Sequence, residues 1–229
     1  MFKEFLNIFR KGDQLQQAFD RSYEMLREDR DMFEAAIRSL RERDDAHLDF
    51  DIYAKDQLIN AYQREVRRKV FTHLTIASGR DLNAGLALVS VVVDIERIGD
   101  YTKNIVELAL NHPNRLKCGR FEETICRIET TVKTMFGLLS EALPGKDEAK
   151  AREVMSDHWW IARRCDEIVD ALIQKDEADL SSREAVTTAL YARYLKRISA
   201  HLMDIASSLA NPFDRIGFRG DDPGPPPGK

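Results

Sequence analysis

The sequence predicts an all-α protein made of two tandem three-helix bundles, with six long helices in all. Three observations predict this fold class: proline is absent before Pro113, apolar residues recur at helical spacing, and the whole pattern occurs twice. Because proline breaks the interior of a helix, a proline-free run of 112 residues permits long helices. Pro144 is the further proline before the C-terminal tail, and Pro212 begins that tail.

Apolar side chains three and four residues apart predict three helices in the first half of the chain. We expect these helices at about 13–40, 51–77 and 81–111. Asp13 can cap the first helix, and Asp81 starts or caps the third. The segment 41–49 is polar and is expected to end the first helix, and the segment 78–80 separates the second helix from the third.

The third helix carries two apolar stripes. One stripe consists of Val91, Ile95, Ile98, Thr102, Ile105 and Ala109. The opposite stripe consists of Leu82, Leu86, Val89 and Val93, and it leads into Glu96 and Asp100. A helix that is apolar on both sides must pack against neighbours on both sides, so we expect this helix to be central.

The second half repeats the first. Its helices are expected at about 119–143, 146–175 and 180–210, and an offset of 100 residues superposes the third helix on the sixth. Four pairs support this register: Arg97 with Arg197, Ile98 with Ile198, Ile105 with Ile205, and Asn111 with Asn211. The halves therefore look like two copies of one three-helix unit.

The sequence divides into four regions on this basis. These are an N-terminal segment (1–12), a first three-helix repeat (13–112), a second, degenerate repeat (113–211) and a tail (212–229). The tail is rich in Gly, Pro and Asp, and we expect it to be disordered or extended. The N-terminal segment has a short apolar face that is expected to dock on the bundle or on a second copy rather than on a membrane.

Composition excludes several classes of protein. Apolar residues make up 43% of the chain, which is enough for a core, and the net charge of −4 provides no basic field for nucleic acid. Three cysteines without C-x-x-C spacing predict neither a disulfide framework nor a zinc site, and they favour a reducing cytoplasm. No stretch approaches the ~20 apolar residues that a membrane span needs.

Glu96 and Asp100 are the candidate functional residues. Because they stand four residues apart on a helix, both carboxylates project from one face. They can form ion pairs with Arg97, Lys103 or a neighbouring helix, or they can form half of a metal site. The second repeat has Lys196 and Ala200 at the matching positions, so it cannot do the same.

The motif ERIGD-x3-NI-x-E on the third helix, with its weak second copy, resembles the PhoU family over roughly residues 13–211. Asp56 and Asn60 on the second helix fit the family pattern as well. The resemblance implies two similar three-helix bundles, and it implies that Glu96 and Asp100 are ligands of an iron, manganese, magnesium or zinc ion in the first bundle only. Two ligands are too few, so Asp56, Asn60, Asn104 and Glu107 are the further candidates. Oxygen donors favour a hard ion over zinc.

The same resemblance implies a regulatory role rather than turnover of a substrate. The family regulates phosphate uptake and phosphate-responsive signalling, so the implied partners are a phosphate transporter component, a membrane histidine kinase, or both. We expect a cytoplasmic homodimer. Two alternatives remain: a metal-dependent enzyme acting on phosphate compounds, and a metal-free helical adaptor. The sequence has neither a H-E-x-x-H nor a Glu-x-x-His motif, and it offers no convincing general base for an enzyme.

Overall fold

The computed structural model describes residues 14–77, 81–112, 114–175 and 179–218. Six long helices run through these residues, and we number them in chain order: α1 (Gln14–Ile37), α2 (Ile52–Ile76), α3 (Leu82–Asn111), α4 (Glu122–Gly145), α5 (Glu148–Gln174) and α6 (Ser182–Ala210). The described residues contain no strand. The all-α prediction is therefore confirmed. The predictions for 1–12, for Asp13, for the break at 78–80 and for most of the tail lie outside the described residues.

The six helices pack as two three-helix bundles. Helices α1, α2 and α3 contact one another, as do α4, α5 and α6, and the bundles join where α3 packs against α6 and α1 against α4. The core runs through both bundles without interruption. At the junction, the rings of Phe33 and Phe136 lie 5.5 Å apart, so the two repeats share buried apolar surface.

Helix α3 is central, as predicted, but only one of its two predicted stripes is buried. Every member of the stripe from Val91 to Ala109 is buried. The prediction that the second stripe is buried is wrong at the N-terminal end of the helix, because Leu82 is 48% and Leu86 38% exposed. The reason is the approach of α2 at Gly85: a Cβ there would lie 2.8 Å from Leu74 Cδ1. Small residues around Gly85 are therefore buried, and the larger leucines point outward.

Polar caps start three of the helices. Asp51 and Asp147 accept backbone N–H bonds at the starts of α2 and α5, and Ser181 forms a capping box with Glu184 at the start of α6. Asp81 precedes α3 as predicted, but its side chain makes no cap bond there. Its carboxylate instead lies 2.8 Å from His73 Nε2. Asp81 therefore links the ends of α2 and α3.

Helix α1 continues as a π-helical turn, Arg38–Glu42, and the helical run ends at the extended Arg43, inside the predicted polar segment. This turn carries Arg41 into the second bundle, where its Nε lies 3.0 Å from Glu129 Oε1 and its other nitrogens contact Glu122 and the carbonyl of Leu116. Glu129 also accepts a hydrogen bond of 2.7 Å from Tyr191. A buried arginine thus joins the two bundles.

Two further observations complete the fold. Pro144 lies in the last turn of α4 rather than beyond it, and Lys146, with φ of 55°, ends the helix in the left-handed region. Across the described helices, none combines the length and the apolar character that crossing a bilayer requires.

Candidate functional site

The face of α3 around Asp100 carries a network of ion pairs. Arg97 Nη1 lies 3.1 Å from one carboxylate oxygen of Asp100, and Lys103 Nζ lies 3.3 Å from the other. The same Lys103 nitrogen lies 2.8 Å from Asp56 of α2. The structure therefore brings Asp56 and Asp100 together, as the metal hypothesis requires, with an ammonium group between them.

The remaining candidates lie around this network. Asn60 Nδ2 donates to the main-chain oxygen of Asp56 at 3.0 Å and lies 3.4 Å from its carboxylate. Glu107 is farther along α3 and lies 3.5 Å from the hydroxyl of Tyr53. Asn104 is half-buried and, in the part of the chain that the structure describes, makes no hydrogen bond to the acids. Asn60 is thus close to the acids, whereas Asn104 and Glu107 are not joined to them.

Asp29 of α1 is the residue that the sequence reasoning missed. It is fully buried, and neither carboxylate oxygen has a hydrogen-bond partner. Its Oδ1 lies 2.9 Å from the position that a Cβ would take at Gly99, so the carboxylate rests directly on the backbone of α3. Close approach explains why residue 99 is a glycine, and the approaching group is an acid.

The surroundings of Asp29 oppose its negative charge. Burial is the largest cause that raises the pKa of this carboxyl well above its usual value, and the charges of Glu96, Glu28, Asp100 and Asp56 raise it further. A sequence signal for Asp29 existed. On α1, an acid stands among the buried residues Met25, Leu26, Met32 and Phe33, and an unpaired charge on a core face is costly.

Glu96 belongs to the same acidic cluster. Burial raises the pKa of its carboxyl, the charge of Asp100 raises it further, and a hydrogen bond from Gln63 opposes the rise. Its own cationic neighbour, Arg97, is 3.8 Å away and half exposed. We call Asp29, Asp56, Glu96 and Asp100 the first-bundle cluster. Two cationic side chains, Arg97 and Lys103, stand against its four acids.

The first-bundle cluster has the donor chemistry of a hard-cation site, because carboxylate oxygens are the ligands that such ions prefer. Asp29 supports this reading, since a buried carboxylate without a partner is what a bound cation would satisfy. The side chains do not converge as a finished site. Among the described residues, the one set of three metal-ligating groups within 4.8 Å of one another is Asp94, His201 and Asp204. The ion-pair reading of Glu96 and Asp100 therefore also stands.

The second bundle has a different arrangement at the matching place. Lys196 replaces Glu96 and pairs with Asp166 of α5 at 2.6 Å. Ser199 replaces Gly99, and its hydroxyl lies 3.0 Å from Nδ1 of the buried His158. His158 packs in the core.

Comparison with known proteins identifies the family. The model of the PhoU domain matches residues 22–109 and 125–209, once in each half. A Thermotoga maritima protein named phosphate-specific transport system accessory protein PhoU homolog 1 is 29% identical over 37% of this chain and 39% of its own length. The corresponding PhoU homolog of Clostridium acetobutylicum is 25% identical over 73% of this chain and 78% of its own.

Solved structures show the same fold. The phosphate transport system regulatory protein PhoU of Streptococcus pneumoniae superposes with a TM-score of 0.74 at 19% identity, covering 85% of this chain and 92% of that one. PhoU of Pseudomonas aeruginosa also gives 0.74 at 19% identity, with 86% and 95% covered. The resemblance that the ERIGD motif implied is therefore confirmed, and the chain belongs to the PhoU family.

Proposed function

We propose that this chain is a regulatory accessory protein of phosphate transport that acts by contact with protein partners. The observation that carries the proposal is the match of both repeats to the PhoU domain. The names of its relatives, which call them accessory or regulatory proteins of phosphate transport, support the same role. A component of a phosphate transporter, a membrane histidine kinase, or both are the proposed partners of a cytoplasmic homodimer that turns over no substrate.

Deletion of the gene in its host tests this role. We expect phosphate uptake, or the output of a phosphate-starvation reporter, to lose its repression when phosphate is ample, and the intact gene to restore it. Unchanged uptake and unchanged reporter output in the deletion strain would exclude the regulatory role.

The proposal includes a metal ion in the first bundle only. Asp29, Asp56, Glu96 and Asp100 would hold it, and the ion would supply the positive charge that this cluster lacks. Because these acids come from α1, α2 and α3, the bound ion would fix the three helices relative to one another. Lys103 would have to release Asp56 and Asp100. The hard oxygen donors favour iron, manganese or magnesium over zinc.

Elemental analysis of protein purified without chelator or histidine tag tests the metal. Counting iron, manganese and magnesium and leaving zinc aside, we expect at least one such ion per chain in the wild type and little in the Glu96→Gln/Asp100→Asn variant. The matched control is Asp166→Asn on α5, which removes an acid of the second bundle and should leave the metal content unchanged. Equal metal content in all three proteins would overturn the site.

The exposed end of the second α3 stripe is the proposed contact surface for a partner. Leu82 and Leu86 are exposed, and they lie on the same face of α3 as Glu96 and Asp100. An ion bound by Glu96 and Asp100 would therefore fix the conformation of this face of α3. We expect Leu82→Ser/Leu86→Ser to lose regulation while keeping the fold. Leu110→Ser, which changes a leucine of α3 that is 54% exposed, is the control. Regulation that survives the double substitution would exclude this surface.

A further inference from the structure

A second group of metal-ligating side chains lies where α3 of the first bundle packs against α6 of the second. Asp94 of α3 faces His201 and Asp204 of α6, and Nδ1 of the imidazole lies 3.0 Å from Asp94 Oδ1. One ligand atom from each residue lies within 4.8 Å of the others, and all three residues are half-buried. We call these residues the inter-bundle site.

The charge of the inter-bundle site favours a cation. Two carboxylates meet one imidazole there, and burial together with Asp94 raises the pKa of Asp204 to about 7. Of the groups that act on Asp204, His201 is the one that favours its ionised form. A single imidazole cannot neutralise two carboxylates, so the electrostatic potential between these three side chains is negative.

The internal repeat provides a comparison within the same helix crossing. The offset of 100 residues that relates α3 to α6 pairs Asp94 with Tyr194, His201 with Tyr101, and Asp204 with Asn104. The rings of Tyr101 and Tyr194 lie 6.0 Å apart. One side of the crossing therefore has two phenols and an amide, whereas the other side has three side chains that ligate metals.

Two neighbours hold the ligands in place. The ring of Tyr101 stacks on the imidazole of His201, with centroids 5.8 Å apart and planes 20° from parallel. Near the C-terminal turn, a Cβ at Gly217 would lie 3.1 Å from Asp204 Oδ1, and the φ of this glycine is +87°. The imidazole and one carboxylate thus pack against fixed groups, which favours preorganised ligands.

We propose that the inter-bundle site binds one divalent transition-metal ion, of which zinc is the best match, through Asp94, His201 and Asp204. An imidazole with two carboxylates suits zinc better than magnesium or calcium, which bind through oxygen. Three protein ligands leave one tetrahedral position for water. The ion would replace the contact between His201 and Asp94 and would bind Nδ1 of the neutral imidazole.

This site is independent of the first-bundle cluster, which draws its acids from α1, α2 and α3. Its ligands come from both repeats, so the ion would clamp α3 to α6 and fix the angle between the two bundles. If the proposed regulatory role or the proposed first-bundle metal were disproved, this inference would not be affected.

Calorimetric titration with Zn²⁺ tests the inter-bundle site. The protein is the full chain carrying Glu96→Gln and Asp100→Asn, stripped of metal with a chelator. We expect one Zn²⁺ per chain, and at least about tenfold weaker binding when His201→Gln or Asp204→Asn is added. The matched control is His47→Gln, because His47 lies 3.2 Å from a single carboxylate, Asp49, at an exposed position. The His47→Gln substitution should not change the affinity for Zn²⁺.

Two further readouts separate binding from loss of structure. The ring signals of His201 in NMR spectra should shift in proportion to the Zn²⁺ added. At Zn²⁺ one hundredfold above Kd, the melting temperature should rise by roughly 5 °C. If circular dichroism shows that a variant is unfolded, Asp94→Asn replaces it as the ligand variant.

Three results would overturn the inference. The first is the absence of stoichiometric Zn²⁺ binding in the Glu96→Gln/Asp100→Asn protein, including the case in which the wild type binds a single ion that this protein loses. The second is an affinity that folded His201 and Asp204 variants leave unchanged. The third is binding without any shift of the His201 signals.

Discussion

The two bundles share a fold but differ in what lies between their helices. Met32 and Phe33 of α1 correspond to Met135 and Phe136 of α4. In this register, the buried acid Asp29 of α1 corresponds to the buried Val132 of α4. In α3, Glu96, Gly99 and Asp100 occupy the positions that Lys196, Ser199 and Ala200 take in α6. The first bundle therefore has an excess of acidic side chains between its helices, whereas the second is neutral or paired at each of these matching positions.

This difference is what we expect if the acids of the first bundle act as one unit, as proposed. A second bundle that lost Glu96 and Asp100 but kept Asp29 would have a buried carboxylate without a role. The second bundle instead differs at all of these positions, and its Lys196 pairs with Asp166. The proposed metal binding would explain why the first bundle tolerates Asp29, whereas the second bundle has the arrangement that favours stability.

The largest expected effect comes from placing an acid in the second bundle. Val132 is fully buried in α4, so Val132→Asp would bury a carboxylate where no ligand set surrounds it. We expect a loss of at least about 3 kcal/mol in the free energy of unfolding. Urea denaturation followed by circular dichroism measures it.

The control for Val132→Asp is Val132→Thr, which is similar in shape and carries a hydroxyl that can bond to a carbonyl of its own helix. Its loss should be clearly smaller. If Val132→Asp were as stable as the wild type, buried acids would be tolerated in both bundles, and the contrast between them would not reflect function.

The reverse change should stabilise the metal-free protein. Asp29→Val removes the unpaired carboxylate and copies the second bundle, and we expect a gain of about 1–3 kcal/mol in the free energy of unfolding. The same variant should lose the metal of the first bundle. A loss of stability would show that Asp29 is satisfied by the protein alone.

The pH dependence of stability provides a second test of Asp29. Because its folded pKa is raised above the unfolded value, the folded state holds the proton more tightly. The cost of Asp29 is therefore absent below about pH 4 and grows as the pH rises toward the folded pKa. Above about pH 4, the stability of the metal-free wild type should fall more steeply with pH than that of Asp29→Val. Parallel profiles from denaturation at several pH values would contradict this.

A smaller effect is expected at Gly99. The new methyl group of Gly99→Ala would lie 2.9 Å from Asp29 Oδ1, so the clash outweighs the gain of about 1 kcal/mol in helix propensity. We expect a net loss of about 1–2 kcal/mol in thermal or urea unfolding. Gly137→Ala in α4 is the matched control, because its methyl group would meet nothing within 4 Å. This control should gain stability, and an equal gain at Gly99 would show that Asp29 can move away.

The smallest effect concerns the pair that replaces the acids in the second bundle. Lys196→Glu would lose the contact of 2.6 Å with Asp166 and set two carboxylates side by side. Both residues are partly exposed, so we expect a loss of only about 1 kcal/mol in urea denaturation. Lys196→Gln should lose less, because it removes the attraction without adding repulsion. Equal losses for the two variants would show that repulsion contributes nothing.

Much of the fold could be predicted from the sequence because local signals specify it. The spacing of apolar residues and the positions of prolines located all six helices, and the second copy of the ERIGD motif revealed the repeat. The asymmetry of the two bundles was also readable from Lys196 and Ala200. These features depend on neighbours within one helix, where sequence spacing translates directly into geometry.

The rest depends on contacts between helices, which spacing alone does not encode. Asp29 precedes Gly99 by two helices, so its place in the cluster follows only from the packing of α1 on α3. The pair of Asp94 and His201 joins residues of different repeats. The exposed Leu82 and Leu86 were misassigned because the close approach of Leu74 to Gly85, rather than hydrophobicity, decides which side of α3 is covered.

Arg41 makes the two repeats depend on each other. Its guanidinium group forms ion pairs with Glu129 and Glu122 of the other repeat. Cutting the gene between the repeats would leave Glu129 without its cation in one fragment. It would leave Arg41 without its acids in the other. The two repeats therefore cannot be separated without leaving both sides of this ion-pair contact unpaired.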